Sequence, residues 1–139
     1  GLGTEAEVNA LKSFGTNFGM TFQLIDDAID YSSNKKILGK NTGDDFKEGK
    51  ITLPIILAFG RSNDKEKKFW ERTISDLNQN DGDFEMALEI INKYQCIEDT
   101  LTRANHFSNV AVDSVDIFKD NIYKEKLVSL VTKSVSRIY

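Results

Sequence analysis

Cysteine is almost absent from this sequence, since Cys96 is the only one in 139 residues. A single thiol cannot close an internal disulfide, and it excludes a structural metal site built from several cysteines. This composition favours a reducing compartment, and we predict a cytoplasmic location. No apolar run approaches the roughly 18 residues that a membrane-spanning helix needs, so no transmembrane segment is predicted. No signal peptide is visible either.

An excess of positive charge is also missing. The chain has 18 lysines and arginines against 22 aspartates and glutamates, which gives a net charge of -4. No basic arm or stripe stands out, so the sequence predicts no nucleic-acid partner. Hydrophobic residues make up 40% and charged residues 29% of the chain, which is typical of a globular protein and argues against disorder.

No stretch alternates as a β-strand does, whereas apolar residues recur at helical spacing. Steps of three and four predict an amphipathic helix whose stripe is Leu11, Phe14, Phe18, Phe22, Ile25 and Ile29. A loop over residues 39–49 follows, and a buried helix is predicted to begin near Thr52 and Pro54. Further helices are predicted over residues 65–77, 84–94, 97–118 and 124–138. The predicted fold class is therefore all-α.

The end of the first predicted helix is unusually acidic. At roughly 100° per residue, an arc of about 100° beside the apolar stripe holds Gln23, Asp26, Asp27 and Asp30. Like charges on one helical face repel each other, and aspartate is a poor interior helix residue. One interpretation is a solvated acidic face. The other is a bound divalent cation, for which oxygen-only ligands favour Mg²⁺.

The loop that follows contains two glycine-lysine pairs, Gly39-Lys40 and Gly49-Lys50. Lysine is a mobile point charge that suits phosphate, although a flexible charged loop is the simpler interpretation. Neither pair fits a P-loop, and the turn at residues 80–83 does not fit an EF-hand calcium loop. A magnesium ion held by the acids, with lysines nearby, would bind a diphosphate.

Two segments together resemble a known family. FGMTFQLIDDAIDY, followed by GKNTGDDFKEGKITLPIILA, resembles the second aspartate-rich region of the trans-isoprenyl diphosphate synthases, and the bacterial polyprenyl members of octaprenyl type are the most similar. The match over residues 14–58 is specific, because DDxxD, GK, GDD and EGKxTLP appear in order. Residues 59–139 resemble the family's C-terminal helices only loosely.

The resemblance implies an all-α helical bundle of the isoprenoid synthase fold, in which residues 1–139 form the C-terminal part of a polyprenyl synthase domain. It also implies condensation of isopentenyl diphosphate with an allylic prenyl diphosphate into a linear trans-polyprenyl diphosphate. The octaprenyl type, a quinone side-chain precursor, is favoured, with Mg²⁺ as the cofactor. A non-catalytic partner subunit or an inactive remnant of such an enzyme is the alternative.

The first aspartate-rich motif of the family is not found in these 139 residues. The fragment alone is therefore expected to be inactive. In full-length form the resemblance implies a homodimer, and a separate N-terminal half is the other partner considered.

The resemblance also assigns the metal ligands. Asp26, Asp27 and Asp30 would form the second DDxxD, with Asp26 and Asp30 favoured as metal contacts. The family's loop aspartate matches Asp45 when counted back from Lys50. It matches Asp44 when counted forward from the other glycine-lysine pair, so both residues are candidate metal ligands.

The substrate contacts are implied in the same way. Lys40 and Lys50 would contact the allylic diphosphate. Gln23, in the pair Phe22-Gln23, would lie near the isopentenyl end of the site. All four are predicted substrate-binding residues.

Overall fold

The computed structural model describes residues 3–32 and 42–136. Within these ranges the chain forms α-helices and one π-helical segment, and no β-strand. The α-helices are α1 (Glu5–Ile29), α2 (Asp44–Lys47), α3 (Leu53–Arg61), α4 (Asp64–Trp70), α5 (Asp83–Lys93), α6 (Cys96–Ser114) and α7 (Ile122–Ser136), and the π-helical segment is Glu71–Ser75. The all-α class predicted from the sequence is confirmed.

Helix α1 begins before its apolar stripe because its first turn is capped. The Thr4 N–H donates to Glu7 Oε1 at 3.0 Å, and the Glu7 N–H donates back to Thr4 Oγ1 at 3.1 Å. Such a capping box satisfies backbone donors that have no partner within the helix. Along the stripe, Phe14, Ile25 and Ile29 are buried, whereas Leu11 is 50% and Phe22 45% exposed. Helical spacing therefore predicted the helix but only part of its buried face.

Two other elements differ from the prediction. The helix predicted over residues 65–77 ends as α4 at Trp70 and continues as the π-helical segment Glu71–Ser75. Helix α2, of four residues, lies within the predicted loop over residues 39–49. A helix this short spans little more than one turn, so apolar periodicity cannot reveal it.

The chain divides into two compact units. The middle unit is Asp26–Leu101, and the terminal unit runs from the N-terminus to Ile25 and resumes at Thr102. The core of the middle unit brings together aromatic and aliphatic side chains from α2 to α6, with Tyr31, Phe46, Trp70, Ala87 and Ile91 among its most buried members. Burial of this apolar surface is the main stabilising contribution to the unit.

The terminal unit has a smaller core. Its buried residues are Phe14 from α1, Ala111 from α6, Val131 from α7, and Val115. The rings of Phe14 and Phe18 stack with their centroids 5.9 Å apart. Among the described residues, no helix combines the length and apolar character required to cross a membrane.

Candidate diphosphate and metal site

The three motif aspartates lie in the last turn of α1 and directly after it, and they differ in burial. Asp30 is 0% and Asp27 6% exposed, whereas Asp26 is half-buried. A carboxylate is removed from water at a large cost unless hydrogen bonds or opposite charges compensate. The solvated acidic face considered from the sequence therefore does not describe Asp27 and Asp30.

Asp30 holds the loop that follows α1. Its Oδ2 accepts a hydrogen bond from the Asp45 N–H at 2.9 Å, and its backbone carbonyl accepts one from the Gly43 N–H at 3.0 Å. These two bonds place the start of α2 against the end of α1. The fifth position of the DDxxD motif is thus joined directly to the GDD sequence.

Glycine is required where the loop turns into α2. Gly43 has φ of +91°, a left-handed conformation that side chains with a Cβ rarely adopt. A Cβ at this position would also lie 3.0 Å from the ring of Phe84. The Phe84 ring packs in turn against Tyr31 and Phe46, with centroid distances of 6.4 Å and 5.8 Å. The aromatic cluster therefore fixes the backbone from which Asp45 projects.

Several buried side-chain polar atoms of the middle unit have no hydrogen-bond partner among residues 3–32 and 42–136. They are Asp45 Oδ2, Tyr31 Oη and Thr52 Oγ1, and their residues are 8%, 1% and 5% exposed. Buried polar atoms are nearly always paired with protein, water or a ligand. An acceptor oxygen at Asp45 and a hydroxyl at Tyr31 are therefore available to a bound group.

The surroundings of Tyr31 keep its hydroxyl protonated. Burial raises the pKa of Tyr31 far above its usual range, and the negative charges of nearby carboxylates, Asp30 first, raise it further. A protonated hydroxyl can donate a hydrogen bond to an anion or to a water molecule. Tyr31 was not among the predicted site residues, although its position directly after the DDxxD motif was the available signal.

Lys50 is tied to the same loop. Its backbone N–H donates to the Asp45 carbonyl at 2.9 Å, while its side chain is exposed to solvent. The preceding Gly49 has φ of +66°, and a Cβ there would lie 2.5 Å from Leu77 Cδ2 and 2.8 Å from the Ile74 carbonyl oxygen. The glycine of this glycine-lysine pair is thus needed for its conformation as well as for space.

The structure brings together part of the predicted site. Asp26, Asp27 and Asp30 lie at the end of α1, and Asp45 and the Lys50 backbone are linked to them through the hydrogen bonds above. Of the other predicted residues, Asp44 is exposed on α2, and Phe22 and Gln23 are exposed residues of α1 that belong to the terminal unit. Lys40 lies outside the described residues.

The carboxylates at this site are potential ligands for a metal ion. Within the part of the chain that the structure describes, no three His, Cys, Asp or Glu side chains are grouped closely enough to hold one. Mg²⁺ is commonly held by one or two carboxylates together with substrate phosphates and water, and such a site needs no three-residue group. The oxygen-only set fits Mg²⁺ in this second manner, with Asp45 Oδ2 as an acceptor that lacks a hydrogen-bond partner within the described ranges.

Comparison with known proteins identifies the family. A family model described as polyprenyl synthetase matches residues 2–91, which is more than half of the chain. The chain belongs to the polyprenyl synthetase family. Its matched region contains the DDxxD helix, the GDD loop and Lys50, so the resemblance drawn from these motifs is confirmed.

Curated members of the family match almost the whole chain. The octaprenyl diphosphate synthase of Haemophilus influenzae is 37% identical over 137 residues, which cover 99% of this chain and 41% of the relative. The octaprenyl diphosphate synthase of Escherichia coli is 33% identical over 134 residues, covering 96% of this chain and 41% of the relative. The chain therefore spans about two-fifths of the length of these relatives.

Solved structures of the family share the fold. A decaprenyl diphosphate synthase from Rhodobacter capsulatus superposes with a TM-score of 0.91 at 34% identity, covering 98% of this chain and 42% of that one. A polyprenyl synthase from Caulobacter crescentus CB15, solved with calcium and isoprenyl diphosphate, gives 0.87 at 41% identity, covering 96% and 41%. The helical architecture is thus that of the polyprenyl synthetases.

Proposed function

We propose that this chain is part of a trans-polyprenyl diphosphate synthase, and that residues 1–139 supply the C-terminal, second aspartate-rich part of its domain. The reaction condenses isopentenyl diphosphate with an allylic prenyl diphosphate. The observation that supports this most strongly is the pair of hydrogen bonds from the Asp45 N–H to Asp30 and from the Lys50 N–H to Asp45. They hold a metal-binding acid and a phosphate-binding lysine on one scaffold.

Mg²⁺, when bound, would neutralise negative charge on the allylic diphosphate as it leaves the prenyl chain. The candidates to hold it are the aspartates assigned by the family motif, Asp26, Asp27, Asp30, Asp44 and Asp45. Asp45 is the best placed of the two loop aspartates, because it is buried beside the motif while Asp44 is exposed. The calcium in the Caulobacter structure, also a hard cation that prefers oxygen ligands, supports a divalent metal here.

The basic residues would bind the diphosphate directly. The Lys50 ammonium group is exposed and can reach an anion while its backbone stays fixed to Asp45. A positioned cation stabilises a departing anion most where water is excluded. Lys40 is assigned the same role by the family motif, and Phe22 and Gln23 the isopentenyl side of the site.

The octaprenyl type of product, a quinone side-chain precursor, is the form we favour. It is supported by the two octaprenyl diphosphate synthases among the relatives, from Haemophilus influenzae and Escherichia coli. For the complete enzyme we propose a homodimer, or an assembly in which this chain pairs with a separate N-terminal half.

The proposal is tested by reconstitution. Residues 1–139 replace the matching C-terminal part of the Haemophilus influenzae relative, and the joined protein is called the reconstituted enzyme. With Mg²⁺, isopentenyl diphosphate and farnesyl diphosphate, we expect it to release diphosphate and to elongate the prenyl chain. The 139-residue chain alone should show no turnover above background, because one aspartate-rich motif cannot hold both the metal and the substrates.

The control is the same reconstituted enzyme with Lys47→Ala, which changes an exposed lysine of α2 outside the proposed site. Turnover by the 139-residue chain alone would overturn the proposed division of the site. The reconstituted enzyme could instead keep the helical content and melting temperature of the intact Haemophilus influenzae relative and yet show no turnover. That result would favour a non-catalytic partner subunit.

A further inference from the structure

Asp30 differs from the first aspartate of its motif in how it is used. Asp26 lies in the last turn of α1 and Asp30 directly follows the helix, and Asp30 is completely buried while Asp26 is half-buried. Asp30 binds the loop twice, through its carboxylate to the Asp45 N–H and through its backbone carbonyl to the Gly43 N–H. Oδ2 of Asp30 is therefore directed at the protein backbone.

A second hydrogen bond connects Asp45 to Lys50, the residue proposed to bind the diphosphate. The Asp45 carbonyl accepts a hydrogen bond from the Lys50 N–H at 2.9 Å. Asp45 is therefore held at its N–H by Asp30 and at its carbonyl by Lys50. A bond from a backbone N–H to an ionised carboxylate is about twice as strong as a neutral one. Loss of the Asp30 acceptor would release the segment that presents both Asp45 and Lys50.

We propose that Asp30 is a positioning residue: its carboxylate, held against the Asp45 N–H, sets where Asp45 and Lys50 meet the diphosphate. Asp26 keeps its proposed role as a metal ligand. The ligand in this inference rests on the proposed function, whereas the hydrogen bond itself does not. The two statements can therefore fail separately.

Asparagine separates positioning from metal contact. Its side-chain oxygen can accept the same backbone hydrogen bond, but it has no charge and is a poor ligand for Mg²⁺. Alanine can do neither. A residue that positions the loop should be rescued largely by asparagine, and a residue that holds the metal should not.

The first measurement uses the 139-residue chain itself, without substrate. Amide hydrogen exchange at Asp45 is followed by NMR in the parent, Asp30→Ala and Asp30→Asn. We expect exchange at Asp45 to be at least about tenfold faster in Asp30→Ala, since a charge-assisted hydrogen bond is lost. Asp30→Asn should restore most of the protection. The Lys67 N–H, which donates to the Asn63 carbonyl at the start of α4, is the internal reference.

Asp83→Ala is the matched control in that experiment. Asp83 is another buried aspartate after a glycine turn, but its contacts are with Arg72 and Asn80. Its loss should leave Asp45 protection unchanged relative to the reference amide. Equal exchange at Asp45 in the parent and in Asp30→Ala would overturn the proposal.

The second measurement uses the reconstituted enzyme. Asp30→Ala should raise the KM for the allylic diphosphate by about tenfold with a smaller change in kcat, because substrate binding by Lys50 is weakened in the ground state. Asp30→Asn should recover most of that KM. Gly43→Ala displaces the same loop against Phe84 without altering the carboxylate, and should reproduce the rise in KM. If Asp30→Asn lowers kcat as much as Asp26→Asn while Asp45 stays protected, Asp30 contacts the metal and the proposal fails.

Discussion

Asp45 and Asp83 lie in similar local structures but have different environments. Asp45 lies two residues after Gly43, at φ +91°, and Asp83 lies directly after Gly82, at φ +88°, so each is in the first turn of a helix that begins at a left-handed glycine. Each is buried, at 8% and 9% exposure. Both oxygens of Asp83 accept from the Arg72 guanidinium, at 2.8 and 2.9 Å. Asp45 Oδ2 has no hydrogen-bond partner within residues 3–32 and 42–136.

The difference separates an acid that stabilises the fold from one that is available to a ligand. The hydrogen bonds from Arg72 lower the pKa of Asp83, with a further contribution from the Asn80 N–H. That carboxylate is fully compensated by the protein. A buried carboxylate oxygen without such compensation is costly, and a bound cation or water would remove the cost. Substitutions at the two kinds of site should therefore affect different measurements.

The largest effect is expected at the aspartates that are proposed to bind the metal. In the reconstituted enzyme, Asp26→Asn should lower kcat by at least about a hundredfold, because a charge that holds the catalytic metal is lost. Steady-state kinetics and thermal melting measure both consequences. A kcat within about threefold of the parent, together with a raised melting temperature, would mean that Asp26 only repels its neighbours.

Substitution of Asp83, the acid that stabilises the fold, should lower stability instead. Asp83→Ala leaves Arg72 without its bidentate partner, and we expect the free energy of unfolding to fall by about 2 kcal/mol. This is less than for a fully buried pair, because the Arg72 side chain is 36% exposed. Asp45→Asn should change the free energy of unfolding by less than about 0.5 kcal/mol. Urea unfolding of the 139-residue chain measures both, and equal losses would remove the distinction.

A smaller effect is expected at Lys50. Lys50→Ala should raise the KM for the allylic diphosphate by about tenfold, equivalent to about 1.4 kcal/mol, with little change in kcat. The reason is that a positive charge near the diphosphate acts in both the ground state and the transition state. Lys47→Ala, an exposed lysine three residues earlier, should leave KM unchanged in the same assay. A similar rise in both variants would indicate a general loss of positive charge.

The smallest effect concerns Glu66, a half-buried acid of α4. A hydrogen bond from the Tyr94 hydroxyl, followed by one from the Asn63 N–H, lowers the pKa of Glu66 to about 2 from an ordinary value of 4.5. A lowered folded-state pKa stabilises the fold above the unfolded-state value, so this contribution is present above pH 4.5 and is lost as the pH falls toward 2. We expect a loss of about 1 kcal/mol, reduced by solvent screening.

Glu66→Gln is the control for that titration. Its unfolding free energy, measured from pH 6 to pH 2, should lack the parent's additional decrease below about pH 4.5. Parallel curves for the parent and the variant would show that Glu66 gives no pH-dependent stability.

The sequence predicted the elements with strong periodicity and the acids that repeat on one helical face. Phe14 and Ile25 lie in the core as the stripe in α1 predicted, but Leu11 and Phe22 do not, because periodicity identifies a face without identifying what covers it. The different use of Asp26 and Asp30 could not be predicted either. It depends on where the loop backbone places one N–H group, and loop conformation has no periodic signal in the sequence.

The π-helical segment Glu71–Ser75 precedes residues that lie against Gly49, so the number of residues in this segment affects the position of Gly49 and Lys50. A π-turn accommodates about one residue more than an α-turn. A deletion of one residue could be absorbed by a return to α-helical turns, whereas an insertion of one residue would rotate the following residues by about 100°. Ile74 and Leu77, which lie against Gly49, would then be displaced from it. Insertions between Trp70 and Leu77 should therefore be tolerated less well during evolution than insertions in the exposed turn at residues 80–82.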